Sequence, residues 1–287
     1  MKKFAVIDVG SNSVRLMFVA DGKVLYKALN TTRLGEGLAS STTLKEEAVA
    51  RSVNAVVAFY DKAKEEGAEK VYAFATAAVR SATNGQVFVD GVRALRPLQV
   101  EVISGEEEAE IGILGALGND DGGIVDVGGA STEIVVKKEG NVLFKKSVNI
   151  GVVRLKDKCG RDKNALVQTA REAAKEYVGF PPVSNLYAIG GTATTLAALA
   201  LGLQTYSSEK ITGAILTKEK MQELADKLSQ MSVEEIALLP CMPKGRADVL
   251  SGGAVLLATL MQELGIQTLT ASDRDNLEGY AIKRGLL

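Results

Sequence analysis

With 287 residues, of which 46% are hydrophobic, the chain is long enough to form two domains of ordinary size. Its formal net charge of −1 gives no overall field that would attract nucleic acid or an anionic membrane, so we expect neither as a partner. The absence of histidine excludes Ser-His-Asp and Cys-His catalysis and histidine zinc sites. Acid–base chemistry therefore falls to carboxylates, Lys, Tyr, Cys or water, and a bound metal would be an oxygen-liganded ion such as Mg²⁺.

The N-terminal sequence and the two cysteines indicate a cytoplasmic protein. Asp8 interrupts the apolar run of MKKFAVIDVG, which is not typical of a signal peptide. The sequence also lacks a run of about eighteen apolar residues, so no membrane span is expected. Cys159 and Cys241 are predicted to be unpaired thiols.

The first half of the chain alternates strand and helix patterns after an N-terminal hairpin. Its predicted elements are a strand at 3–9, a hairpin turning at Asp21-Gly22, a glycine-broken loop at 32–38, a helix at 44–67, a strand at 70–76, a helix at 84–95 and a strand at 98–103. Ser104 and Glu107 have the spacing of a capping box, so a further helix begins there and ends near Leu117.

The second half repeats this order of elements. Its predicted elements are a strand at 123–127, a hairpin turning near Gly140-Asn141, a helix at 164–178, a strand at 185–190, helices at about 190–201, 217–230 and 244–264, a strand at 266–271 and a last helix from about 275. The order within each half predicts α/β architecture with mixed sheets.

A polar, glycine-rich stretch at 118–123, GNDDGG, is the best linker in the chain. We therefore predict an N-terminal domain at 1–120 and a C-terminal domain at 121–274, with the last helix, 275–287, packing back on the first domain. Helix 244–264 and the apolar C-terminus are candidates for a homodimer face, although core packing explains them equally well.

One phrase occurs twice, as VIDVGSNS at 6–13 and as IVDVGGAST at 124–132, so that Asp8 and Asp126 lie 118 residues apart (126 minus 8). Glycine turns let backbone N–H groups surround phosphate oxygens, because no Cβ blocks the approach. A carboxylate at a strand end is suited to holding Mg²⁺. A third glycine turn, AIGGTAT at 188–194, precedes a helix, and helix N-termini are natural anion sites. Together the three turns predict phosphate binding.

This arrangement resembles the actin–sugar kinase–Hsp70 superfamily, in which two phosphate hairpins and a later glycine turn surround a nucleotide. The resemblance implies two actin-like, ribonuclease H-like domains with mixed sheets flanked by helices and an active-site cleft between them.

Further phrases are similar to the exopolyphosphatase and guanosine pentaphosphate phosphohydrolase family. They are VIDVGSNSVRLMF, TRLGEGL, ATAAVR, VISGEEEAEIGILG, IVDVGGASTEIVV, AIGGTATTLAAL, GRADVLSGGA and SDRDNLEGYA, in that order. The resemblance runs from Phe4 to about Ala281 and corresponds to a short form with only the two actin-like domains. It implies Mg²⁺-dependent release of terminal phosphate from inorganic polyphosphate, or conversion of guanosine pentaphosphate to the tetraphosphate.

The resemblance also implies roles for individual residues. Glu108 of SGEEEA corresponds to the general base that activates water. Asp126, Glu133 and Asp8 correspond to metal-linked positions, and we expect the carboxylates of Asp126 and Glu133 both to be reachable from the cleft. The implied phosphate-binding residues are Asn12, Ser13, Arg80, Gly128, Gly129, Ser131, Thr132, Gly190, Gly191 and Thr192.

Three features depart from the family pattern or lie outside it. Ala130 stands where the family usually has a third glycine, which is tolerated only if its φ is negative or its Cβ points away from phosphate. The phrase DRDNLEG inserts charge at Arg274 and Asp275. The basic run at 153–163 either follows a long polyphosphate or is a solvated loop before a helix.

Two other classes of function remain open on the same scaffold. An ATP-dependent kinase or ATPase would need an adenosine pocket and would not need Glu108. A non-catalytic alarmone sensor or a filament-forming actin relative would need a broken site.

Overall fold

The computed structural model describes residues 2–287, which form two mixed β-sheets flanked by helices. The strands of the first sheet are β1 (Lys3–Val9), β2 (Ser13–Ala20), β3 (Lys23–Thr31), β4 (Lys70–Ala75) and β5 (Val100–Val102). Those of the second sheet are β6 (Gly122–Val127), β7 (Thr132–Lys138), β8 (Asn141–Val148), β9 (Leu186–Ile189), β10 (Ile215–Thr217) and β11 (Thr268–Ala271).

The helices follow the strands in chain order. They are α1 (Glu46–Glu65), α2 (Ala77–Ser81), α3 (Gly85–Leu95), α4 (Gly105–Leu117), α5 (Val152–Cys159), α6 (Lys163–Ala174), α7 (Gly190–Ala200), α8 (Ser208–Ile211), α9 (Lys218–Gln230), α10 (Val233–Ala237), α11 (Ala247–Glu263) and α12 (Asn276–Lys283).

The two sheets share a five-stranded topology, to which the second sheet adds the antiparallel edge strand β10. The first has the order β3-β2-β1-β4-β5, and the second has β10-β11-β9-β6-β7-β8. In each, the opening strand pairs antiparallel with the next strand of its hairpin and parallel with a later strand that follows a helical segment. The parallel strands end at one edge of each sheet, which is where α/β folds place their ligands. The predicted fold class, two actin-like domains with mixed sheets, is confirmed.

Helices α4 and α12 lie between the two sheets. Ile111 of α4 packs with Leu277 and Tyr280 of α12 against the first sheet, in a cluster that includes Val6 and Phe74. Other side chains of α4, among them Ile113, belong to the cluster on the second sheet. The last helix thus packs on the first sheet, as expected, while the domain limits at 120/121 and 274/275 stay predictions.

Glycines let α4 and α12 approach to backbone contact. A Cβ on Gly279 would lie 1.6 Å from the carbonyl oxygen of Ile111, and one on Gly115 would lie 1.9 Å from that of Asp275. No side chain fits at either position, so the crossing depends on glycine. It fixes the start of α12 beside the helix that carries Glu108.

Most predicted elements agree with the structure, including the capping box in which Ser104 and Glu107 bond each other's backbone N–H groups. The short helices α2, α8 and α10 and strand β10 were not predicted, because so few residues carry little periodicity. The solvated-loop prediction for 153–163 is wrong: most of the run lies in α5, whose Val153 and Leu155 are buried. Both cysteines are free, as predicted.

Two further expectations concern surfaces. Helix α11 lies inside the second domain with nearly all of its residues buried, so it provides no dimer face and core packing explains its apolar sequence. Among the helices of residues 2–287, none combines the length and apolar character that crossing a membrane requires.

Candidate active site

The doubled phrase folds into two equivalent turns at the ends of β1 and β6. In the first, Gly10 N–H donates to the Ser13 carbonyl, and in the second, Gly128 N–H donates to the Ser131 carbonyl, both at 3.0 Å. The intervening amides, on Ser11-Asn12 and Gly129-Ala130, donate to no protein atom within residues 2–287. Four backbone donors are therefore free to bind an anion.

The two turns touch each other across the cleft. A Cβ on Gly129 would lie 2.8 Å from Ser11 Cβ and 3.0 Å from the Asn12 nitrogen, so only glycine permits this approach. Ala130 is buried, and it is not among the residues with positive φ. Its backbone conformation therefore meets the condition under which alanine is tolerated in the second turn.

The third glycine turn closes the cleft from the second domain. Gly190 has φ of +79°, and a Cβ there would lie 2.5 Å from Asp126 Oδ1. It opens helix α7, whose N-terminus faces the cleft, and helix N-termini attract anions. The Thr192 hydroxyl donates to the Val127 carbonyl at 2.9 Å, which ties this turn to the second hairpin.

These turns and the strand ends enclose a cleft of about 750 Å³ of open space. Of the residues implied by the family resemblance, eleven line it: Asp8, Asn12, Ser13, Glu108, Asp126, Gly128, Gly129, Ser131, Gly190, Gly191 and Thr192. Arg80, Thr132 and Glu133 do not. The Thr132 hydroxyl donates to the Ile150 carbonyl at 2.6 Å, so it supports the chain behind the cleft.

Glu108 and Arg80 form an ion pair at the cleft wall. Arg80 Nη1 lies 2.9 Å from Glu108 Oε2 and also donates to the Ile103 carbonyl at 3.0 Å. Burial raises the pKa of Glu108 above its usual value, while the charge of Arg80 opposes this increase. Glu108 is thus a carboxylate with an elevated pKa that lines the cleft, as suits a general base.

Asp126 and Glu133 face each other on adjacent strands but have different surroundings. Burial, with Asp275 and Glu108 nearby, raises the pKa of Asp126 to about 8. Glu133 pairs with Asp126 across β6 and β7 and accepts a 2.6 Å hydrogen bond from Ser147. Glu133 is buried and does not line the cleft, but Glu108 and Asp126 lie close enough to raise its pKa well above the usual value, so its access from the cleft stays a prediction.

Asp8 is held by a residue that the sequence analysis did not single out. Arg15 of β2 bonds Asp8 and also Asp275, at the start of α12. The other oxygen of Asp8, Oδ1, is buried without a partner. Asp8 was a predicted metal ligand, and in this structure its charge is balanced by Arg15.

The carboxylates of the cleft fit Mg²⁺ only if substrate phosphates supply some of its ligands. Within residues 2–287, no cluster of three acidic, histidine or cysteine groups is arranged to hold a metal by itself. However, Glu108 helps to raise the pKa of Asp126, and Asp8 helps to raise that of Glu108, and a nearby cation stabilises buried carboxylates of this kind. Mg²⁺ is commonly bound by one or two carboxylates together with substrate phosphates, which agrees with Asp126 beside a phosphate cleft.

Arg246, in the phrase GRADVLSGGA, is a second functional candidate that the sequence alone did not indicate. Arg246 is 7% exposed and lines the cleft, and its guanidinium makes no hydrogen bond or ion pair within the described chain. A Cβ on Gly191 would lie 2.1 Å from Arg246 Nη1, so the guanidinium lies directly on the third turn. Burial and the charge of Arg15 lower its pKa to about 10, as expected for a cation that lacks an anion.

The chain is similar to several known proteins over nearly its whole length. It is 33% identical to Exopolyphosphatase 2 of Mycobacterium tuberculosis, with 98% of each chain covered. It is 29% identical to a guanosine-5'-triphosphate,3'-diphosphate pyrophosphatase of Photobacterium profundum, and the match covers 99% of this chain and 58% of that protein.

Solved structures show the same likeness. An exopolyphosphatase from Cytophaga hutchinsonii superposes with a TM-score of 0.87 at 25% identity, covering 99% of this chain and 98% of that one. A Ppx/GppA family member from Aquifex aeolicus superposes with a TM-score of 0.79 at 27% identity and the same coverage. The model of the Ppx/GppA phosphatase family matches residues 4–284. The chain therefore belongs to the Ppx/GppA phosphatase family.

Proposed function

We propose that this protein hydrolyses the terminal phosphoanhydride of inorganic polyphosphate by attack of water, with Glu108 as the general base. The observation that carries the proposal is the cleft itself, in which free backbone amides, an unpaired arginine and a carboxylate of raised pKa converge. Phosphoryl transfer requires positioned donors around the phosphate and a group that orients the attacking water.

In this mechanism the turns hold phosphate oxygens through their N–H groups while Arg246 offers a planar fork of donors. Glu108 accepts the proton of the water, since burial raises its pKa above the usual value and its carboxylate lies at the cleft wall. Arg80 orients this carboxylate through Nη1 in the present structure, and its predicted contact with substrate would use the other guanidinium donors. Asp126 would hold Mg²⁺, which when bound supplies positive charge to the phosphoryl oxygens.

A second substrate, guanosine pentaphosphate, is favoured by one specific observation. A cavity of about 770 Å³ of open space adjoins the cleft, sharing Arg15, Arg246 and the third turn with it. Leu29 and Pro243 contribute apolar surface to this cavity, and the Tyr206 ring lies at its wall. Linear polyphosphate has no apolar part, whereas a nucleoside has a base to bury against such surface.

The deciding experiment measures phosphate release with Mg²⁺ from long polyphosphate and from guanosine pentaphosphate, with ATP as a comparison substrate. Glu108→Gln should lower kcat by about 10²–10⁴-fold, the usual contribution of general base catalysis. Glu106→Gln is the matched control, because that side chain lies two residues away and is 80% exposed.

Each outcome discriminates between the functions. Release from polyphosphate that is lost in Glu108→Gln supports both the substrate and the base, and release from the guanosine substrate alone transfers the function to alarmone conversion. Equal activity of Glu108→Gln would contradict the assignment of the base. Turnover of ATP alone would favour the ATPase alternative, and the absence of all hydrolysis would favour a sensor.

A further inference from the structure

The segment that opens α12 contacts the strand-end carboxylates of both domains. Asp275 bonds Arg15, which in turn bonds Asp8 of the first hairpin. The next residue, Asn276, donates from Nδ2 to Asp126 Oδ2 of the second hairpin at 3.4 Å. Two consecutive residues thus reach both halves of the doubled phrase, and Asn276 has no role in the chemistry described so far.

Asn276 occupies a space that α4 leaves open for it. Its Oδ1 would lie 2.8 Å from a Cβ on Gly112, so a glycine at this position makes room for the amide. Gly112 lies one helical turn after Glu108, on the same side of α4. Asn276 is 5% exposed and lines the cleft, so it sits between the helix of the proposed base and Asp126.

The contacts of Asp126 explain what the amide does. One carboxylate oxygen, Oδ1, is against the backbone of Gly190, where only a glycine fits, and the other accepts from Asn276. The Asn276 amide presents its N–H₂ group to the carboxylate, whose Oδ2 accepts the hydrogen bond. Removal of the amide leaves Oδ2 with no side-chain donor and the Asp126 carboxylate free to rotate.

We propose that Asn276 is a positioning residue that holds the Asp126 carboxylate in the orientation used in the cleft. The inference rests on the proposed function, in which Asp126 faces the substrate phosphates and Mg²⁺. Groups that orient a metal-binding carboxylate usually contribute about 10–100-fold to metal affinity or activity. A residue that only filled space would alter stability and leave these quantities unchanged.

The test compares wild type with Asn276→Leu, which keeps the branching of the side chain but has no donor. Asn276→Ser, which cannot reach Asp126 and adds no bulk, replaces it if the leucine variant does not fold. The matched control is Asn84→Leu, an asparagine far along the chain whose amide bonds the Leu44 backbone in both directions. For each protein we would measure Tm, kcat and KM on polyphosphate, and the affinity for Mg²⁺ alone by titration calorimetry.

Asn276→Leu is expected to lose about 10–100-fold in kcat or in Mg²⁺ affinity, with a smaller change in KM. Asn84→Leu is expected to lower Tm without either loss. Equal kcat and equal Mg²⁺ affinity in Asn276→Leu and wild type would overturn the inference, whatever the change in Tm. Failure of wild type to release phosphate would instead contradict the proposed function, and the calorimetric comparison would still decide the role of Asn276.

Discussion

Replacement of Arg246 by methionine should stabilise the protein while weakening its binding of polyphosphate. Burial and Arg15 lower the pKa of Arg246 from 12.5 to about 10, which corresponds to about 3 kcal/mol against the charged form in the folded state. Arg246 is charged below its folded-state pKa of about 10, so the whole penalty applies at neutral pH. Methionine retains most of the aliphatic stem and carries no charge.

For a chain of this size, about 1 kcal/mol of stability shifts Tm by roughly 2–4 °C. Relief of half the penalty in Arg246→Met would therefore raise Tm by about 3–6 °C. The assay is thermal unfolding at pH 7 with and without tripolyphosphate, because a ligand that binds only the folded state stabilises it more as its affinity increases. Tripolyphosphate should raise the Tm of wild type and have little effect on the variant.

Arg161 provides the matched control. Its guanidinium donates to the carbonyls of Leu228 and Met231 and to the Ser251 hydroxyl, so it is an arginine with its partners in place. Arg161→Met should lower Tm, since it leaves those acceptors without a donor. The reasoning would be refuted if Arg246→Met lowered Tm as much as Arg161→Met does and kept the stabilisation by tripolyphosphate.

Three further substitutions, with Gly202→Ala as a control, test the glycine contacts and a predicted phosphate ligand. Gly190→Ala should impair substrate binding as well as stability, because the added Cβ would meet Asp126. Gly202 has a φ of +64° with open space around it, so Gly202→Ala should cost only about 1 kcal/mol of stability. Measuring KM and Tm of both variants separates the effect of the clash from that of backbone strain. Gly279→Ala should destabilise the protein by more than about 4 kcal/mol or abolish folding, since the added Cβ would overlap the Ile111 carbonyl. A cooperative denaturant transition of the variant near that of wild type would contradict the close crossing of α4 and α12. Thr132→Val should lower stability by about 1–3 kcal/mol, because the Ile150 carbonyl loses its donor. If KM rises by more than this loss of stability explains, the result favours the predicted phosphate contact of Thr132.

The sequence was sufficient to predict features that depend on short segments. Hydrophobic alternation and glycine positions locate most strands and helices, and Ser104 with Glu107 marks the start of α4 through bonds between residues three apart. The repeat of Asp8 at Asp126 predicted two equivalent turns, because a strand followed by a glycine turn adopts its conformation from local backbone preferences.

Contacts between distant segments were decided only by the tertiary structure. Arg15 and Asp275 are 260 residues apart and Asn276 and Asp126 are 150 apart, so no local pattern connects them. Glu133 is buried and bonded to Ser147, and Arg246 is buried on the third turn without an anion, because of the elements that pack around them. The sequence thus determined the turns and the candidate base, while long-range packing determined which charges are paired. The reason is that the environment of a side chain is set by neighbours that only the folded chain brings together.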